Sequence, residues 1–351
     1  IDYLSIDTEG SEKEIITHID FNKYHINVIN FEVNYKNDNY EITKKYLNDN
    51  NFKFYKKLEG DDIFINKKLL FSWDMKNIKI IGNWCSSQQL IKEWSIMNHN
   101  SPLFNSYQLV EHDENIDYYV IVNKPQDDKV YYEPSKTIVF QMEPWVEDNS
   151  KNWGVKTWGK WAKPDLNQFL HVHNHQQYLN NVQWQIEIPQ TYPETRQNQV
   201  LSILSEKIFD TGHQKRIQFI QYLEKEKKEY MHVFGKENYH QFNSYQGQLK
   251  ENKKENEYVN YKYVFACENN SETNYATEKI WEPILCECLT FYWGCPNLEE
   301  HIDNQAFVRL DLDDFEGSMK IVEKAIQEDW WSQKIDIIRK EKQRIIKELG
   351  F

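Results

Sequence analysis

The chain has 351 residues, a net charge of −13, 40% hydrophobic and 15% aromatic residues. That length suits two or three domains with a sizeable core, and the acidity excludes a general nucleic-acid-binding role while leaving room for a local basic pocket. Five cysteines with no CxxC pair argue against both a disulfide framework and a zinc site, and no apolar run is long enough to span a membrane.

The chain opens without Met, directly on the strand-like IDYLSID, and is expected to be a fragment or a processed product. Residues 1–67 read as strand, helix, strand, helix and hairpin. The pieces are IDYLSID, EKEIITHI, INVINFEV, YEITKKYLND and FKFYKKLEGDDIFIN, with Gly60 and Asp61 at the hairpin turn. Alternating strands and helices predict an α/β layer with a parallel core, but too few strands are present for a complete domain of that kind.

A second βαβ pattern covers residues 77–190. NIKIIGNW precedes a helical SSQQLIKEWSIM, and DYYVIVN and KTIVFQMEPW follow as buried strands. In LHVHNHQQYL, His171, His173 and His175 share one face if the run is a strand. Three neutral imidazoles can ligate a metal, but no carboxylate partner is apparent, so the run reads as a solvated or acceptor-lining loop. Pro189 and Pro193 mark a linker.

The remainder, residues 191–351, begins with a helix in HQKRIQFIQYLEKEKKEY, apolar at Ile217, Ile220 and Leu223, and a strand in MHVFG. The polar KENYHQFNSYQGQLKENKKENEY is expected to be mobile. The strand YKYVFAC, a helix in TEKIWEPILCECL and a strand through FYWGC come next. AFVRLDLDDF ends in an Asp-rich turn, and two charged helices close the chain.

Chemistry concentrates in residues 261–297. The loop after YKYVFAC holds Glu268, Asn269 and Tyr275, and Glu278 and Lys279 open the helix. Thr277 is a reasonable N-cap. Ligands of α/β domains bind at the carboxyl ends of strands beside helix N-termini, where free N–H groups and the helix dipole favour phosphate. Lys279 adds a point charge for a diphosphate. Glu278 suits a ribose diol, whose two hydroxyls a carboxylate can accept. Asn269 and Tyr275 could position a sugar or the pyrophosphate. On spacing alone, ordinary capping and surface charge account for Thr-Glu-Lys equally well.

The run ACENNSETNYATEKIWEPILCECLTFYWGCPNLEEHIDNQAFVRLDLDDF resembles the donor-binding signature of the α1,3-fucosyltransferases, glycosyltransferase family 10. That pattern is Phe-Glu-Asn, a short loop, Gly-Tyr-x-Thr-Glu-Lys, an apolar helix, then Tyr-Trp-Gly-x-Pro. Its counterparts here are Glu268-Asn269, Tyr275, Thr277 to Lys279, Tyr292 to Gly294 and Pro296. Asn274 replaces the usual Gly and can still take a left-handed turn; Pro283 should kink or shorten the helix. HQKRIQFIQYLEKEKKEYMHVFGK resembles the family's Arg-bearing helix, which makes Arg216 the matching diphosphate contact.

The resemblance implies a GT-B-type pair of Rossmann-like domains, with the acceptor on residues 77–190 and GDP-fucose on 191–351. It implies inverting transfer of fucose to a glycan hydroxyl, with no required cofactor and at most a stimulatory divalent cation. Glu143 is the implied base, after the strand TIVFQM, with Glu147 and Asp148 as alternatives. The setting would be the Golgi lumen for a eukaryotic source and the cytoplasm for a bacterial or viral one. Arg216, Glu278 and Lys279 argue against the competing reading, a non-catalytic glycan-binding protein. The sequon at Asn269 to Ser271 is expected to stay unmodified, because a glycan there would block the site.

Residues 1–67 resemble the C-terminal part of the FkbM-type methyltransferases, through Asp7, Glu9, Gly10 and Glu12 and the later GDDIFIN. The resemblance implies an incomplete Rossmann-like half-domain. It lacks the Gly-rich cofactor loop, so S-adenosylmethionine would serve only a complete parent, as cofactor of a sugar O-methyltransferase.

Overall fold

The computed structural model describes residues 1, 3–8, 10–21, 23–33, 38–58, 60–67, 75–98, 101, 103–104, 106–147 and 154–350. The chain divides into two compact units, residues 1–77 with 104–108, and residues 78–103 with 109–351.

The first unit contains β1 (Tyr3–Ile6), α1 (Glu12–Thr17), β2 (Val28–Glu32), α2 (Asp38–Asp49), β3 (Phe52–Leu58) and β4 (Asp61–Asn66). Its sheet runs β1-β2-β4-β3; β1 and β2 are parallel, and β4 is antiparallel to both its neighbours. Ile16, Ile29, Leu47, Phe52 and Phe64 form a dry core. The buried Asp62 accepts a 2.7 Å hydrogen bond from the Tyr40 hydroxyl, which offsets the cost of burying a carboxylate. Glu12 folds back to accept from the Thr8 N–H at 3.0 Å and the Gly10 N–H at 3.0 Å, so it closes its own turn. Glu9 lies outside the described residues.

Two six-stranded sheets follow along the chain. The first is built from β5 (Lys76–Gly82), β6 (Leu103–Phe104), β7 (Tyr107–Val110), β8 (Tyr118–Val122), β9 (Thr137–Phe140) and β10 (His171–His173), with α3 (Ser87–Ser95) and α4 (Val155–Trp158) between strands. The order is β10-β9-β8-β5-β7-β6, and the four strands from β10 to β5 are parallel. The second contains β11 (Gln197–Ile203), α5 (Thr211–Lys225), β12 (Met231–Phe234), β13 (Tyr245–Gly247), α6 (Glu255–Tyr258), β14 (Tyr261–Cys267), α7 (Glu278–Leu285), β15 (Leu289–Trp293), β16 (Phe307–Arg309), α8 (Phe315–Gln327) and α9 (Trp330–Arg344). Its order, β13-β12-β11-β14-β15-β16, is parallel throughout. The central β14 is buried along almost its whole length, as expected for a strand covered on both faces. This is an α/β protein with one wholly parallel sheet and a second that is parallel over four strands, the fold class that the sequence predicts.

Two expectations change. The polar stretch 236–258, expected to be mobile, carries β13 and α6 and buries Phe242 and Tyr258. Glu224 on α5 anchors it by accepting from Ser244 N and Oγ, at 2.8 and 2.7 Å. Polar composition misled because the buried aromatics are widely spaced and side-chain bonds supply the rest. Of the run read as a solvated or acceptor-lining loop, His175 is not solvated: it is buried and packs edge-on against Trp145 at 5.6 Å. Only His171 and His173 lie on β10, their ring centroids 4.3 Å apart. Among the described residues, no group of three His, Cys, Asp or Glu side chains could hold a metal ion, and no helix is long and apolar enough to cross a membrane.

Candidate active site

Strand β14 ends at Cys267, and the next residue, Glu268, is fully buried. Burial raises its carboxyl above the ordinary range although Lys279 acts against this. Its oxygens accept from Thr277 N at 2.8 Å, Thr277 Oγ1 at 2.7 Å and the Tyr292 hydroxyl at 3.2 Å. Thr277 in turn caps α7, its hydroxyl accepting from Lys279 N at 3.4 Å. One buried carboxylate therefore fixes the turn from which Glu278 and Lys279 project.

Two glycines make room for this turn. A Cβ on Gly294, whose φ is 153°, would lie 2.4 Å from Glu268 Cγ. One on Gly212, in the first turn of α5, would lie 1.8 Å from the Glu268 carbonyl oxygen. The close approach lets Gly212 N donate to Asn269 O at 2.9 Å and clamps α5 onto the loop.

Lys279 Nζ lies 2.9 Å from Glu278 Oε1 and 3.7 Å from Glu268 Oε2. Burial works against its charge, but the two carboxylates outweigh burial and raise the ammonium well above its usual range. Burial also opposes ionisation of Glu278, yet Lys279 and Lys254 bring its carboxyl down to about 2. Both groups are thus charged at neutral pH.

These side chains line a cavity of about 470 Å³ at the carboxyl ends of β11, β12 and β14, together with Arg216, His213, Asn269 and Lys254. Arg216 is buried, which lowers its pKa. It donates to Cys267 O at 3.2 Å, while its Nε has no partner among the described residues. Asn269 Oδ1 likewise lacks one. His213 is pushed down to about 4, first by burial and then by Arg216, and it accepts from Asp210 N at 3.1 Å through Nδ1. The cavity thus offers a planar cation, a point cation and a carboxylate beside a helix start, a set suited to a nucleoside diphosphate.

Glu143 stands three residues past the end of β9. Its N–H and that of Met142 both donate to Asn123 Oδ1, at 3.0 and 2.8 Å, so Asn123 fixes the main chain there. The surrounding protein raises the Glu143 carboxyl to about 7, against the pull of Lys279 and Tyr275. The residue also keeps one side open to solvent. Of the alternatives, Glu147 is exposed and pairs with Lys163 at 2.5 Å, and Asp148 lies outside the described residues.

The candidates therefore divide. Arg216, Asn269, Glu278 and Lys279 share the cavity. Tyr275 does not line it; buried on the neighbouring loop, it donates from its hydroxyl to Glu143 Oε2 at 3.1 Å. Asn274 takes the left-handed turn, φ 60°, and its amide donates to Gln176 O at 3.0 Å. Sequence reading missed the role of Glu268, although a Glu closing an apolar strand was a visible signal. It also missed Lys254, which comes from the polar stretch and pairs with the fully buried Glu282 at 2.7 Å. Asn123 gave no signal, because its function rests on a contact across two strand ends.

The fold and this cavity define an α/β protein with a charged pocket at the carboxyl ends of its parallel strands. Residues 193–328 match the family model described as Glycosyltransferase family 10 (fucosyltransferase) C-term. No curated protein sequence matches the chain. Among solved structures, an α1,3-fucosyltransferase with GDP is similar at 16% identity and a TM-score of 0.43, over 75% of this chain and 82% of the other. An α-glucosyltransferase in complex with UDP and DNA is similar at 12% identity and a TM-score of 0.43, over 78% of this chain and all of the other. A mutant of S. aureus TarM in complex with UDP is similar at 10% and 0.44, over 66% and 54%. These likenesses are too weak to carry chemistry across.

Proposed function

We propose that this chain is a glycosyltransferase that moves fucose from GDP-fucose to a glycan hydroxyl with inversion at the anomeric carbon. The observation that carries the reading is the cavity bearing Arg216, Glu278 and Lys279 within the matched segment, with Glu143 tied by Tyr275 to the loop that leads into α7.

Glu143 takes the proton of the acceptor hydroxyl. The hydroxyl oxygen bonds to the anomeric carbon as the bond from that carbon to the diphosphate oxygen breaks. The electron pair leaves with GDP, whose growing charge Arg216 and Lys279 neutralise. Glu278 accepts from the ribose hydroxyls, and Asn269 positions the sugar or the pyrophosphate. The glycan acceptor approaches from the side of Glu143 that is open to solvent.

Thermal melting with GDP, GDP-fucose, UDP and S-adenosylmethionine tests this. A ligand at about a hundred times its Kd adds about 2.7 kcal/mol to the folded state. GDP and GDP-fucose should raise the midpoint in wild type and in Glu143→Gln alike, while Glu143→Gln loses transfer. A shift with S-adenosylmethionine alone would overturn the reading.

A further inference from the structure

The sequence points to Tyr275 as a donor-binding residue, but its hydroxyl leads elsewhere. We propose that Tyr275 is the positioning residue of the base: by bonding Glu143 Oε2 it holds one carboxylate oxygen still and leaves Oε1 to take the acceptor proton. The proposal rests on the function above and deepens it.

The geometry gives Glu143 two independent supports. Asn123 holds its main chain through two N–H groups. Tyr275 holds its side chain at 3.1 Å from a ring that is 2% exposed, so the phenol has little freedom to turn away. The tyrosine stands two residues before Thr277, whose N–H and hydroxyl are fixed on Glu268. Asn274, just before it, is bonded to the Gln176 carbonyl on the first sheet's side. A glycine at 274 would offer no side-chain donor to that carbonyl. The same short loop thus fixes the donor-side helix start at one end and the base at the other.

Electrostatics agree with the assignment. Burial, reinforced by Glu143, keeps the Tyr275 phenol protonated far into the alkaline range, so it remains a donor wherever the base is ionised. Desolvation by the surrounding protein opposes ionisation of Glu143 most, Lys279 and Tyr275 favour the carboxylate, and Glu278 and Glu268 oppose it. Removing the phenol hydroxyl leaves desolvation and two like charges against Lys279 alone.

The test is a carbon-13 NMR titration of glutamate side-chain carboxyls in the whole chain, with Glu143 assigned by the signal that Glu143→Gln deletes. Tyr275→Phe should raise the Glu143 titration point by about one pH unit. The acid limb of GDP release from GDP-fucose, with water as acceptor, should move with it, and kcat should fall about tenfold at neutral pH with the donor KM nearly unchanged. An unchanged titration point overturns the proposal. Asn274→Gly, which fits φ 60° and loosens the loop, is a second variant should Tyr275→Phe fail to fold. It should shift the point in the same direction by less, and no shift there counts against the loop as the base's support. Calorimetric titration with GDP decides the donor site separately: no GDP binding sinks the proposed function, while the NMR result still decides Tyr275.

Discussion

Replacing Lys279 by Met removes the cation that faces two carboxylates, at 2.9 Å from Glu278 and 3.7 Å from Glu268. Glu268 is fully buried, so it cannot recover its charge solvation from water. Breaking a buried ion pair from one side costs about 3–5 kcal/mol. Here the side chains of Lys279 and Glu278 are 22% and 31% exposed, which screens part of that loss and points to the lower end, about 3 kcal/mol. In a unit of this size each kcal/mol moves the melting midpoint by about 2–4 °C, so Lys279→Met should melt roughly 6–12 °C lower. The same variant loses a charge-assisted contact to the diphosphate, worth about 1.5–3 kcal/mol, or about 10- to 150-fold in the Kd of GDP. The double variant Glu278→Gln/Lys279→Met separates the two effects. Removing one of the stranded carboxylates should restore a few degrees of midpoint but none of the GDP affinity. Calorimetric melting, with and without GDP, reads both quantities. A Lys279→Met protein that melts with the wild type, or that GDP stabilises as strongly as the wild type, refutes the arrangement.

Acid should unfold the chain in two stages, visible as two slopes in the melting midpoint against pH. His175 and His213 are each pushed down to about 4, so the stability they contribute is present above about 6.5 and lost as pH falls toward 4. Glu278, held down to about 2, adds a second loss as pH falls below its ordinary value of 4.5; a midpoint flat from pH 6.5 to 4 would contradict the buried neutral imidazoles. Gly294→Ala should cost about 1–3 kcal/mol in urea denaturation and weaken GDP binding, because its Cβ displaces Glu268. Lys254→Met should both lower the midpoint, by stranding Glu282, and weaken GDP binding from a segment outside the family signature; full GDP affinity would remove Lys254 from the site. Chain made in a secretory host should carry no glycan on Asn269, which lines the cavity, and a mass-spectrometric glycan there would contradict the donor site.

What the sequence shows and what it hides follow from where each interaction is encoded. The second sheet was legible because parallel, doubly covered strands must be apolar along their whole length, as YKYVFAC is, and because Thr277, Glu278 and Lys279 announce a helix start within three residues. Local patterns carry such features. The role of Glu268 is half local: the charge after an apolar strand is visible, but its partners Thr277 and Tyr292 lie 9 and 24 residues away. Lys254 was obscured because a polar segment with two scattered buried aromatics resembles a mobile loop. It is ordered by the Glu224 carboxylate, a contact that composition cannot reveal. Tyr275 is the extreme case. Its hydroxyl meets Glu143 across 132 residues, so no window on the sequence distinguishes a tyrosine that faces a nucleotide from one that holds a base. The two assignments predict opposite kinetics. A donor contact would move the KM of GDP-fucose, whereas a positioning residue moves kcat and its pH dependence. That separation ties the chemistry to the fold: the loop that the signature marks as a donor site reaches Glu143 only because the second unit folds both into one body.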